Sequence, residues 1–161
     1  MRRLFKLLIV FAVIYMNGCS SDKSPPPYKP GGIVISYATD DDLNTYDDSS
    51  HSVMLAVYQL NNINGFHQLA KDLTGTQKLL GLTKFDSSVL GVDSIFVNAA
   101  ESGTIKLDRL QDTEWIGVVA GYYNLTAGQV TKEFQIPANS SKILKINLVL
   151  SPDSLQEVPA K

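Results

Sequence analysis

Val53-Met54-Leu55-Ala56-Val57-Tyr58-Gln59-Leu60 is apolar on both faces, as a central strand would be, and it is followed at once by a different periodicity. From Asn61 to Leu73 the residues Phe66, Leu69, Ala70 and Leu73 fall at i, i+3, i+4 and i+7, which predicts a helix that Asn61, Asn62 or Asn64 caps. A second helical turn is expected near Gln77-Lys78-Leu79-Leu80. The rest of the chain reads as strands. Ile33–Tyr37, Ser94–Val97 and Thr104–Leu107 are short and β-rich, and Trp115–Tyr123 is the strongest core strand, with Gly117 and Gly121 marking a bend or a close backbone approach. Val130–Ile136 puts Phe134 and Ile136 on one face, and Lys142–Leu150 alternates cleanly, with Leu144, Ile146, Leu148 and Leu150 inward. About seven short strands with turn signals between them argue for a mainly β fold, a β-sandwich with short helical insertions after the second strand.

Upstream of this domain the sequence reads as an export and anchoring device. Met1-Arg2-Arg3-Leu4-Phe5-Lys6 is basic, Leu7–Met16 is an unbroken apolar run, and Asn17-Gly18-Cys19 closes it. That order describes a signal peptide over residues 1–18, and the run is short of the roughly 20 apolar residues a spanning helix needs. Met16-Asn17-Gly18-Cys19 resembles the lipobox of bacterial lipoproteins, with Asn17 where Ala or Ser is usual. The resemblance implies that the Cys19 thiol takes a diacylglyceryl group, that the chain is cut before Cys19 and that the new amine is acylated. Cys19 is the one cysteine of the chain, so it has no disulfide partner, and lipidation accounts for it. Ser20, not Asp, follows the Cys, which by the same resemblance implies the outer membrane. Ser20–Gly32 carries Pro25, Pro26, Pro27 and Pro30 and a closing glycine pair, so residues 19–32 are expected to be a lipidated Cys and a Pro-rich linker reaching up to ~40 Å, with the sandwich occupying 33–161.

Without residues 1–18 the 14 bases lose Arg2, Arg3 and Lys6 and become 11, against 16 acids, a net charge of −5. A domain of that sign is not expected to bind nucleic acid or to press against anionic lipid. The only histidines, His51 and His67, are far apart in sequence. No metal-ligand spacing, phosphate loop or nucleophile elbow occurs, so neither an enzyme nor a cofactor is expected.

The connection between the first two strands is Thr39-Asp40-Asp41-Asp42-Leu43-Asn44-Thr45-Tyr46-Asp47-Asp48-Ser49-Ser50. Asp40, Asp42 and Asn44 stand at positions 1, 3 and 5 of a calcium-loop pattern, but Thr45 replaces the required Gly and His51 the bidentate Glu. A solvated acidic loop is one reading. The length favours another, because long connections in compact domains are often functional. Leu43 and Tyr46 amid five aspartates would form apolar anchors ringed by charge.

Taken together, Cys19, Leu43-Asn44, Val57-Tyr58-Gln59-Leu60, Phe66 with Leu69, and Val118-Val119-Ala120-Gly121-Tyr122-Tyr123 resemble, in order, the TssJ (SciN) lipoproteins of the type VI secretion system. The chain departs from that pattern at Val130-Thr131-Lys132, where the family often has Trp-Arg, and in the acidity of its first loop. The resemblance implies a transthyretin-like β-sandwich and a partner, the periplasmic C-terminal domain of the inner-membrane protein TssM, bound through the loop that is Thr39–Ser50 here. It also implies an anchoring role at the outer membrane. A pilotin-like lipoprotein and a transthyretin-like small-ligand binder are the other classes left open; the latter needs a cavity of ~300 Å³ or more.

Overall fold

The computed structural model describes residues 24–138 and 140–159. Cys19 and the signal-like segment lie outside the described residues. Among the described residues no helix is long and apolar enough to cross a membrane.

Among the described residues, eight strands form two four-stranded sheets. β1 (Lys29–Thr39), β4 (Ser102–Arg109), β7 (Leu144–Leu150) and β8 (Leu155–Glu157) make the first, in the order β4-β1-β7-β8. β2 (Val53–Leu60), β3 (Val89–Val97), β5 (Trp115–Gly121) and β6 (Thr131–Gln135) make the second, in the order β3-β2-β5-β6. Neighbours are antiparallel except β1 and β7, which run parallel from Ile33↔Leu144 to Thr39↔Leu150. The chain is the mainly β sandwich expected, with two helices, α1 (Asn64–Leu69) and α2 (Leu73–Leu80), inserted after β2.

The two faces of β2 explain why those helices are there. Val53, Leu55 and Val57 point between the sheets and join Ile33, Ile35, Ile116, Val118, Ile146 and Leu148 in the main core. Ala56, Tyr58 and Leu60 point the other way, into a second cluster with Phe66, Ala70, Leu79 and Val89. The helices are the cover for that outer face. Phe66 lies against Tyr58 with ring centroids 5.8 Å apart, and Phe85 adds a second ring at 5.7 Å. The Tyr58 hydroxyl donates to the Leu79 carbonyl, and burial pushes its pKa up to about 12. Gly117 serves the same contact, since a Cβ there would sit 2.5 Å from the Phe66 ring.

The helix expected within Asn61–Leu73 ends at Leu69, and the second helical turn expected near Gln77–Leu80 is the last part of α2, which already begins at Leu73. Asp72 adopts an extended backbone and its carboxylate accepts from the Gly75 amide at 2.8 Å, starting a new helix instead of continuing the old one. Leu73, assigned by spacing to the buried face, is 47% exposed as a result. The expected Asn cap is also absent: Ile63 occupies the cap position of α1 without a side-chain bond, and Asn62 Oδ1 accepts from the Asn64 amide. β8 has only three residues, too few to register as a sequence pattern, and β3 is longer than the Ser94–Val97 core that the sequence marks.

Gln59, inside the apolar β2, joins the two sheets. Its Nε2 donates to the Asp108 carbonyl at 2.9 Å, and its Oε1 accepts from the Leu110 amide at 2.9 Å and the Thr113 hydroxyl at 3.2 Å. The side chain satisfies the backbone where β4 leaves the first sheet for β5 in the second.

The ordered domain begins earlier than Ile33. β1 already includes Lys29–Gly32, and the proline segment before it is bonded down. Pro26 accepts from the Asp112 amide and Pro27 from Arg109 Nε, both at 3.1 Å, while the Tyr28 amide donates to Gln111 Oε1 at 3.0 Å. Asp108 accepts from the Gly31 amide at 2.7 Å and from the Tyr28 hydroxyl at 2.9 Å, and these bonds, the amide's foremost, hold its carboxyl below the usual aspartate range.

Two measurements check this account. Gly117→Ala should lower stability by about 1–3 kcal/mol in urea melts, and adding Phe66→Leu should recover part of the loss, because the clash is with that ring. The depressed Asp108 pKa means that the ionised form is favoured by folding, so its stabilisation is present above about pH 3.9 and disappears as pH falls through the lower folded value. The Gly31 amide resonance should therefore shift with a midpoint below that pH, and Asp108→Asn should abolish the titration.

Candidate functional site

All of Thr39–Ser50 lies at the end of the sandwich where β1 finishes and β2 has yet to begin, opposite the end where residues 24–28 lead into β1. The loop is a built structure. Its Asp40 amide donates to the Leu150 carbonyl at 3.0 Å and its Asn44 amide to the Pro152 carbonyl at 2.9 Å, fastening it to the β7–β8 connection. The Asp40 carbonyl accepts from the Ala100 amide at 3.1 Å, and Thr39 Oγ1 donates to the Asn98 carbonyl at 2.7 Å, fastening it to the β3–β4 connection. Glu101 in that connection has its carboxyl pKa lowered by the Tyr37 hydroxyl and then by Asn98.

Leu43 is not a displayed anchor. It is fully buried and belongs to the main core, so the expectation that it offers contact area to a partner is corrected. The physical reason is that an apolar side chain at the mouth of an open-ended sandwich gains more by closing the core than by facing water. Asn44 is likewise turned inward, with a φ of 50°. Its Oδ1 accepts from the Tyr123 amide at 2.7 Å and its Nδ2 donates to the Ser52 carbonyl at 3.3 Å. Both of its polar atoms are committed, which removes it from the ligand set that a calcium-loop reading requires. Among the described residues no group of three His, Cys, Asp or Glu is arranged to hold a metal.

Beyond these two roots the loop closes in a tight hairpin. Tyr46 and Ser49 exchange backbone bonds at 3.1 and 3.2 Å across Asp47 and Asp48, whose φ values are 53° and 56°. Two successive positive φ angles are the signature of a type I′ turn, which asparagine or aspartate followed by glycine satisfies with least strain. Here an aspartate holds the second place at a steric cost. Thr45 Oγ1 donates to the Asp42 carbonyl at 2.7 Å and Ser50 Oγ to the Asp41 carbonyl at 2.8 Å, so the remaining backbone is also braced.

What the loop displays is charge around a stack of rings. Tyr46 is sandwiched between His51, at a centroid distance of 3.6 Å, and Tyr123, at 4.3 Å, both nearly parallel to it. Tyr123, just past β5, is 67% exposed and completes the platform. Asp41, Asp42, Asp47 and Asp48 are exposed and Asp40 partly so, and among the described residues no Lys or Arg pairs with them. His51 and Tyr123 were not legible as site residues: 72 positions separate them in sequence, and only the β2–β5 pairing, Met54↔Gly121, brings their segments together. Tyr122, the neighbour of Tyr123, is buried with its hydroxyl donating to the Ser154 carbonyl at 2.8 Å, and burial raises its pKa.

Other concavities are less suggestive. The cleft between the sheets at Leu55, Val57, Ile95, Ile105 and Leu107 holds about 90 Å³, below the ~300 Å³ a ligand site requires. An open groove of about 470 Å³ runs along the outer face between α1 and β6, beside the His67–Glu133 contact of 3.0 Å.

A two-sheet sandwich with helices over one face and a built loop at its end defines the class by its fold, a β-sandwich domain that displays a structured connection. The chain belongs to the family of type VI secretion lipoproteins described as VasD, EvfM and TssJ, whose model matches residues 32–150. That is a family of structural components of a secretion apparatus. No curated protein matches the sequence. The fold is similar to Serratia marcescens Lip, a membrane-bound component of the type VI secretion system (TM-score 0.67, 19% identity, 80% of this chain and 98% of that one). It is also similar to the lipoprotein TssJ1 of Pseudomonas aeruginosa (TM-score 0.59, 17% identity, 85% and 100%). A chain in a structure described as the TssM C-terminal domain, 869–1107, from EAEC is similar too (TM-score 0.65, 14% identity, 80% and 98%).

The division between roots and display is open to test by urea denaturation. Leu43→Ala should cost about 2–5 kcal/mol, as truncations in a core do, while Asp48→Gly should raise stability by up to about 1 kcal/mol by relieving the turn.

Proposed function

We propose that this chain is an outer-membrane lipoprotein, anchored through Cys19, that fixes the type VI secretion membrane complex by binding the periplasmic domain of a TssM-type inner-membrane protein. The binding surface in this reading is the loop of Thr39, Asp40, Asp41, Asp42, Leu43, Asn44, Thr45, Tyr46, Asp47 and Asp48. Leu43 and Asn44 act as its buried roots, and Tyr123 and His51 join it from outside. The observation that carries the reading is the loop's construction. A surface connection stitched to two neighbouring connections and held in a strained turn is pre-organised, and pre-organisation lowers the entropy lost on binding. Five aspartates around an aromatic platform suit a partner surface with basic groups around an apolar depression.

The comparisons support the choice of partner. A similar chain is in a structure described as the TssM C-terminal domain (869–1107) from EAEC. A chain in a structure described as the type VI membrane complex is similar as well, with a TM-score of 0.57.

The distance between anchor and loop suits a bracket. β1 runs from the tether at Lys29 to the loop at Thr39, and its 11 residues span roughly 35 Å at a strand's rise per residue. Affinity capture from native membranes tests the reading. Tyr46→Ala with Tyr123→Ala should cut capture of the TssM-type protein about tenfold or more while the melting curve of the domain stays close to that of the parent. Unchanged capture, or capture of a secretin in its place, would refute the assignment. Association should also slow as salt is raised, because the aspartates act through a screened field.

A further inference from the structure

The lipoprotein reading leaves open how the domain sits on its membrane, and the tether end of the sandwich bears on this. Arg109 is fully buried, and its guanidinium donates to three backbone carbonyls: Pro27 at 3.1 Å, Ser140 at 2.8 Å and Lys142 at 3.3 Å. One cation thus gathers the tether segment and the β6–β7 connection at the same end of the first sheet. Burial lowers its pKa, but with three acceptors it needs no carboxylate.

The residue after each outer carbonyl is a large apolar side chain facing water. Tyr28, after Pro27, is 51% exposed, and Ile143, after Lys142, is 46% exposed. Lys29 and Lys142 flank them, one half-buried and one exposed. The net negative charge of the domain is weighted to the opposite end, where Thr39–Ser50 holds five aspartates; beside Tyr28, Asp108 is bonded to the Gly31 amide and the Tyr28 hydroxyl, and Asp112 Oδ1 to Gln111 Nε2 at 2.9 Å.

Tether length then decides what faces this patch. Because Pro26 is already bonded to the domain, only seven residue steps separate it from Cys19, at most about 25 Å of chain at 3.3–3.6 Å per step. The sandwich is longer than its tether. Were Cys19 lipidated, the end bearing Tyr28 and Ile143 would stay near the bilayer and the Thr39–Ser50 loop would be held away from it.

We propose that this end of the domain, through Tyr28 and Ile143 with Lys29 and Lys142, rests on the phospholipid surface of the membrane that holds the anchor. Tyrosine suits the level of the headgroups, with its ring toward the apolar side and its hydroxyl toward the wet side, and lysine stems can lie along apolar surface while the ammonium meets phosphate. The contact gives the domain a defined orientation on the membrane, with the acidic loop pointing into the periplasm.

The proposal rests on the lipidation of Cys19, and the experiment separates the two. Full-length acylated protein is reconstituted into vesicles of phosphatidylethanolamine and phosphatidylglycerol. With Cys19 acylated, Ile143→Cys and Asp48→Cys each carry a single free thiol for a nitroxide. The label at 143 should be relaxed by oxygen several-fold more than by a water-soluble nickel chelate, and the label at 48 should show the reverse. A protein that floats with the vesicles but leaves the 143 label as open to nickel as the 48 label overturns the membrane contact alone. A protein that fails to float, with an unmodified Cys19 by mass, overturns the lipid anchor and the contact with it.

Discussion

The architecture depends on one strand being buried on both faces. β2 contributes Leu55 and Val57 to the core between the sheets and Ala56, Tyr58 and Leu60 to a cluster outside them. A sheet in water buries only the face it shares with the other sheet, so the outer face of β2 must be covered by something else or remain a large apolar patch. The chain solves this immediately, with α1 and α2 in the 20 residues that follow β2. Gly117 on the neighbouring strand leaves the room that Phe66 fills. Sandwich, insertion and glycine are therefore consequences of the same burial requirement.

A second constraint concerns the polar groups the architecture encloses. Gln59 and Arg109 are both buried, and both spend their side chains on backbone atoms where the chain changes sheet or enters the domain. No buried side-chain nitrogen or oxygen lacks a partner among the described residues. Such groups are costly if left unmet, so each one fixes the course of the connection that satisfies it. The result is a domain with stiff ends. The end where the chain enters β1 is locked by Arg109 and Asp108, and the loop end by Leu43, Asn44 and the backbone bonds of Asp40.

Stiffness at the loop end is what the functional reading uses. An acidic stretch of twelve residues would ordinarily be solvated and variable in conformation. Here its strained aspartates, Asp47 and Asp48, are tolerated because the roots on either side over-determine the path. The sequence showed which residues were charged and which were apolar, but it assigned Leu43 and Tyr46 the same role. Tertiary structure separated them: Leu43 closes the core, whereas Tyr46 is held between His51 and Tyr123 at the surface. Composition could not make that distinction, since both residues are apolar and both lie among aspartates.

By itself, the sequence determined what periodicity and composition encode. Alternation at Leu144–Leu150, the two-faced run at Val53–Leu60 and the helical spacing around Phe66 came from local chemistry, and so did the class of fold and the acidic character of the loop. The start of the second helix at Asp72 lay within reach of a local rule, because an aspartate three residues before a glycine amide can cap a new turn. Only the tertiary structure decided which segments meet. The Tyr46 stack draws on residues 77 positions apart, Asn44 bonds to the backbone of Tyr123, and the proline segment is pinned by residues more than 80 positions further on. Contacts of that range depend on strand pairing and on backbone groups, which every residue carries alike, and so they leave no mark in the pattern of side chains.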